Sequence, residues 1–183
     1  ITPTEVGVEL STSIFNSTGG WDLDNMDRIE ALCAALSELD NVNIVTSPTR
    51  PYGAPIDYSS ISGNSSIEAM LYDQIMRTMV GANATAVLVT VILEEEPFSP
   101  VSIESIKDIR EVVDGLVRSD TGFDAIYVGG GTAMMYDVAH TTQEDFRTIV
   151  LVVIVLIYVV LLVMLGSVIN PIRSILTILI SIS

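Results

Sequence analysis

From Ile149 to Ile169 the chain reads IVLVVIVLIYVVLLVMLGSVI, without a single charged residue. An α-helix rises about 1.5 Å per residue, so about twenty such residues cover the ~30 Å hydrocarbon core of a bilayer. A helix that is apolar on every face needs apolar surroundings on every side, and a domain of this size offers too little core to provide them. The run therefore predicts a transmembrane helix over 149–169. It also divides the chain into a water-soluble part, up to about Arg147, and a membrane part.

Asn170-Pro171 then breaks the helix, because proline donates no backbone hydrogen bond and pushes its predecessor out of helical geometry. A short link carrying Arg173 follows, and a second apolar run from Ile175 to Ile182 stops with the chain. Residues 172–183 are thus expected to be the start of a second membrane helix, truncated. Neither run holds an ionisable residue, so no intramembrane proton or ion relay lies in this piece. The cationic link and the acidic part at the other end predict that the link is cytoplasmic and the soluble domain extracytoplasmic, although Arg147 stands on the outer boundary.

The net charge of -15 is carried mostly by the soluble part, where Lys107 is the only lysine. So negative a surface repels phosphates and excludes nucleic acid as a partner. Acidity with little lysine is also a solvation strategy at high salt, where the Debye length shrinks to ~3 Å at 1 M, and so points to an archaeal or halophilic source. Cys33 is the only cysteine, which excludes an intrachain disulfide and a cysteine-based zinc site. The sequons at Asn16, Asn64 and Asn83 are N-glycosylation acceptors only outside the cell. The chain starts at Ile1 with no leader in view, so an upstream segment is expected.

Along the soluble part, Thr4 to Phe15 reads as a strand, and Asp22 or Asp24 caps a helix reaching about Leu39, with Met26, Ile29, Leu32, Cys33 and Leu36 on its apolar face. Val42 to Val45 is a short strand. A helix is expected from about Ile67 to Val80, and AVLVTVIL (86–93) is the strongest strand in the chain. Ser102 is placed as the N-cap of a helix reaching about Arg118, with Ile103, Ile106, Ile109, Val113 and Leu116 inward. Phe123 to Val128 is the last strand, closed by Gly129-Gly130-Gly131. The order is that of an α/β (α+β) split βαβ, or ferredoxin-like, plait over residues 1–131. A connecting helix, 132–148, runs into the membrane segment without an obvious breaker and predicts a rigid junction. A protease-sensitive link near Ala139 to Gln143 would count against that.

Candidate chemistry is sparse. Gly129-Gly130-Gly131 sits between a strand and a helix but has neither a Walker lysine nor GxGxxG spacing, so a tight turn is the better reading than a phosphate loop. Glu94-Glu95-Glu96 reads as a solvated strand end that discourages edge pairing rather than as a metal site. His140, the only histidine, has no nucleophile placed beside it in a recognisable pattern, so no catalytic residue, metal or cofactor is expected and the chain is not read as an enzyme. Asp137, Glu144 and Asp145, at helical spacing before the apolar run, are either a solvated helix face or the lining of an entry path for a cationic or amphiphilic substrate.

The segment AIYVGGGTAMMYDVAHTTQEDF, followed by an apolar helix and the link GSVINPIRSILTIL, resembles the MMPL (mycobacterial membrane protein large) family of the resistance-nodulation-division (RND) superfamily. The matching positions are Val128, Gly129, Gly130, Asp137, Asp145 and Phe146. The stretches NVNIVTSPTRPYG and AVLVTVIL through EEEPFSPVSIESIKDIREVVDGL resemble the family's porter domain. The resemblance implies one extracytoplasmic ferredoxin-like porter domain of a polytopic exporter of lipids or other hydrophobic compounds, driven by an ion gradient. Its relay carboxylates would lie in other membrane helices. The implied partners are membrane lipid, the rest of the parent transporter and a hydrophobic or amphiphilic substrate, with monomer and trimer both compatible. Two other functions fit the same layout: a membrane-anchored extracellular sensor domain, and a Sec-associated protein export factor.

Overall fold

The computed structural model describes residues 3–57 and 66–165. Eight elements follow one another: β1 (Thr4–Leu10), α1 (Leu23–Ser37), β2 (Val42–Thr46), α2 (Ile67–Thr78), β3 (Ala86–Leu93), α3 (Pro100–Ser119), β4 (Phe123–Gly130) and α4 (Gly131–Leu165). The chain divides into two compact units, Ile1–Tyr136 and Asp137–Ser183.

In the first unit the strands form one sheet in the order β2-β3-β1-β4, every neighbouring pair antiparallel. This is the ferredoxin-like plait expected from the element order, with α2 added in the connection between β2 and β3. Alternation along β1 sends Thr4, Val6, Val8 and Leu10 to the interior and Glu5, Gly7 and Glu9 to the opposite face. Val87, Val89 and Val91 of β3 share the inner face, and α1 and α3 cover it with Met26, Ile29, Leu32, Leu36, Ile106 and Ile109, all fully buried. The spacing of these residues within each helix is the 3.6-residue period that makes one apolar stripe.

Helix starts follow local chemistry. Asp22, not Asp24, caps α1: its carboxylate accepts from the Asn25 backbone N–H at 3.0 Å. The α3 cap is Ser99, correcting the expectation of Ser102, whose own backbone N–H donates to Ser99 Oγ at 3.1 Å. The reason is Pro100. Proline lacks the N–H that a helix start leaves unpaired and its fixed φ suits the first helical position, so the residue before it takes the cap. Ser102 is instead buried, beside Ser105, where both hydroxyls receive the Asn41 side-chain amide.

Two strand boundaries also differ from the expected ones. β1 ends at Leu10 rather than near Phe15, because from there the backbone bonds to loops: Leu10 N–H to Thr85 O, Ser11 N–H to Gly122 O and Ile14 N–H to Ala84 O. β4 runs on through Gly129 and Gly130, which pair with Glu5 and Thr4, and α4 starts at Gly131 with no intervening turn. The three glycines are therefore strand end and helix start, not the tight turn expected. Gly130 has φ +97°, and a Cβ there would lie 2.8 Å from the Pro3 carbonyl oxygen, so only glycine fits this close approach.

The first turn of α4 belongs to the core of the first unit. Ala133 and Thr132 are buried, Tyr136 packs against the core, and the Arg110 guanidinium lies 5.3 Å from the Tyr136 ring centroid. Ala139 to Gln143 are helical within α4. The expected boundary at Asn170-Pro171 and the second apolar run, 172–183, lie outside the described residues, as do residues 166–169 of the predicted membrane helix.

Candidate functional site

The second unit presents a helix in two chemical halves. The stretch from Asp137 to Thr148 is polar and exposed, and Ile149 to Met164 is apolar and mostly exposed. Gly131–Met164 is long and apolar enough to cross a membrane, and none of its most apolar window is buried inside the structure. A soluble core helix would be covered by its own protein. Here the apolar side chains, from Ile149 to Met164, face outward, the pattern expected where lipid is the solvent.

Asp137, Glu144 and Asp145 all stand on the exposed polar half. Positions seven and eight residues apart fall within one sector of a helix, so the three carboxylates share a side of α4 just before the apolar run. His140 joins them, its Nδ1 3.8 Å from Glu144 Oε1 one turn on. Among the described residues no group of three or more His, Cys, Asp or Glu side chains is arranged to hold a metal ion.

The remaining candidates resolve into structure. Glu94, Glu95 and Glu96 are exposed, and Asn41 ties down the run by accepting the Glu94 N–H on its carbonyl and the Glu95 N–H on its side chain. Edge protection, the role expected for them, does not apply, because β3 lies inside the sheet between β2 and β1. Asn16 is exposed, and its side-chain oxygen accepts from Thr18 N–H, Thr18 Oγ and Gly20 N–H, which makes it the hub of its turn. Asn83 is exposed in the turn before β3, and Asn64 lies outside the described residues.

Two side-chain clusters had no sequence signature, since each joins residues far apart in the chain. Arg77 lies over the rings of Phe15 and Trp21 at 4.5 and 5.4 Å and pairs with Asp73, which also accepts from Trp21 Nε1. In the other, Arg50 grips Glu30 through both Nε and Nη2, at 3.0 and 2.7 Å, and so pins the loop after β2 onto α1. That hydrogen bond raises the Arg50 pKa further.

Cys33 lies under this loop, fully buried, and burial pushes its thiol up to about 11 from an ordinary 9.0. A raised pKa means that the folded state holds the proton more tightly than the unfolded one. The stability this contributes is complete below pH 9 and is lost as pH climbs through 11, and two pKa units correspond to about 2–3 kcal/mol. Denaturant unfolding followed by Trp21 fluorescence should therefore show a fall between pH 9 and 11 that is larger in the native chain than in Cys33→Ala.

The layout is a split βαβ plait whose last strand passes directly into a helix long and apolar enough to cross a membrane. The model of the MMPL family matches residues 15–183, and the chain belongs to that family. Membership places it among RND-type, membrane-embedded transporters of hydrophobic compounds, as one part of a larger transporter. No curated protein matches the sequence.

Proposed function

We propose that the chain is the porter domain and adjoining membrane helix of an exporter that moves lipids or other hydrophobic compounds, driven by an ion gradient, with the first unit on the extracytoplasmic side. The observation that carries this reading is the family match, which runs from the plait through the apolar helix as one stretch. The exposed sequons at Asn16 and Asn83 support the outward orientation. Substrate passes Asp137, Glu144 and Asp145 as it leaves the bilayer, the carboxylates attracting any cationic headgroup. The part played by this chain is binding and passage rather than catalysis of a covalent change.

The experiment is flux. The full-length parent product, reconstituted into liposomes, should move a fluorescent lipid across or out of the bilayer only when a proton or sodium gradient is imposed, and should stop when an ionophore collapses it. Gradient-independent behaviour with an intact, correctly inserted protein would sink the exporter reading in favour of an anchored sensor domain.

A further inference from the structure

β3 is apolar on both of its faces. Val87, Val89 and Val91 are buried toward the helices, while Ala86, Leu88 and Ile92, with Thr90 among them, alternate to the other side. An antiparallel sheet with helices on one side ordinarily turns polar residues outward, and a strand apolar throughout is the kind that is covered twice. Register carries this open face across the sheet. Ile44 of β2 pairs with Ile92, and Gly7 of β1 pairs with Leu88 on one side and Tyr127 of β4 on the other.

Ile44, Leu88 and Tyr127 are 39%, 40% and 65% exposed. Gly7 between the last two has no side chain, and a Cβ added there would meet nothing within 4 Å. It forms the floor of a trough whose walls stand one strand away on each side, about 10 Å apart at ~4.8 Å per strand. Glu5 and Glu9 lie two residues to either side of Gly7 on the same strand and face, each about 7 Å along it. Both are exposed, and among the described residues neither carboxylate has an ion-pair or hydrogen-bond partner.

We propose that this open sheet face binds a lipophilic cation, its apolar body lying over Gly7 between Leu88 and Tyr127 and its charge held by Glu5 and Glu9. Charge complementarity chooses the occupant. Two carboxylates in the middle of an apolar surface, unpaired among the described residues, repel anionic amphiphiles and a second copy of a chain with net charge -15. The Tyr127 ring adds a face to which a cation is attracted. The proposal deepens the exporter reading by naming a substrate class, and rests on it for the ligand's role as cargo, though not for its binding.

The test is equilibrium dialysis of radiolabelled tetraphenylphosphonium against the full chain in nonionic detergent, with tetraphenylborate, its anionic counterpart of similar shape, in parallel. Saturable binding of the cation above that of empty micelles is expected, with none of the anion. Glu5→Gln/Glu9→Gln should weaken it about tenfold. Gly7→Val, which suits a strand and fills the floor, should abolish it. Glu104→Gln/Asp108→Asn, removing two exposed carboxylates of α3, should leave it unchanged. Equal weakening by the α3 pair, equal binding of the anion, or no saturable binding would each overturn the proposal, as would a basic apolar peptide occupying the face where the cation does not. Gradient-driven flux is scored separately on the parent product, so a failure here leaves the exporter reading standing, and a failure there leaves this binding site standing.

Discussion

Arginine at both Val153 and Ile157 is expected to release the apolar half of α4 from the membrane. At a helix centre valine or isoleucine favours insertion by roughly 0.3–0.6 kcal/mol, whereas arginine opposes it by about 2.5–3.5, so the pair costs at most about 6–8 kcal/mol, less at Val153 because it lies toward the outer end of the run. One arginine can be tolerated by snorkelling; two on the same side one turn apart in the first half of the run are harder to accommodate. Both positions are 45% exposed, and arginine is a strong helix former. The plait should stay folded by Trp21 fluorescence while the chain moves from the membrane pellet to the supernatant on alkaline extraction. Retention of the double variant in the pellet at the level of the native chain would show that the segment is not held by lipid.

Gly130→Val should be the most damaging single change in the sheet. It demands φ near +97° of a β-branched residue and places a Cβ 2.8 Å from the Pro3 carbonyl oxygen, 3.3 Å from the Glu5 nitrogen and 3.3 Å from the Thr4 Cα. All three contacts are backbone, so no side chain can swing aside, and relief requires parting β1 from β4. A loss of about 2–4 kcal/mol is expected in urea unfolding. The comparison is Gly7→Val on the same sheet, where the added side chain meets open space and a β-branched residue suits the strand, so the change should stay within about 0.5 kcal/mol. Equal losses at the two sites would mean that the Gly130 conformation is not what the strand end requires.

The architecture was legible because it depends on short-range periodicity. The stripe of Met26, Ile29, Leu32, Cys33 and Leu36, the run AVLVTVIL, and the uncharged run from Ile149 each announce an element without reference to the rest of the chain. Element order alone then points to the split βαβ plait, and the sheet order β2-β3-β1-β4 agrees. The misread points are those where one residue overrules its neighbours. Pro100 moved the α3 cap to Ser99. Gly130, in a conformation closed to other residues, let β4 run to the edge of α4, where a glycine run suggests a turn.

The sites were less legible, for a different reason. The Arg77, Phe15, Trp21 and Asp73 cluster and the grip of Arg50 on Glu30 depend on which surfaces meet, and that is set by the sheet order rather than by local spacing. The trough over Gly7 needs three strands in register before Leu88, Gly7 and Tyr127 become neighbours. One trace of it does stand in the sequence: a strand with apolar residues at consecutive positions, in a domain with helices on one side of its sheet, leaves a second face to be covered. Asp137, Glu144 and Asp145 were found by helical spacing, and they occupy an exposed helical stretch.

The central claim is that this chain is one part of a polytopic transporter, and the intact mass and peptide map of the native gene product test it most directly. A product several times longer than 183 residues, with many further apolar segments and acidic residues inside some of them, is the expected result. A product that ends after one or two spans would contradict the transporter reading.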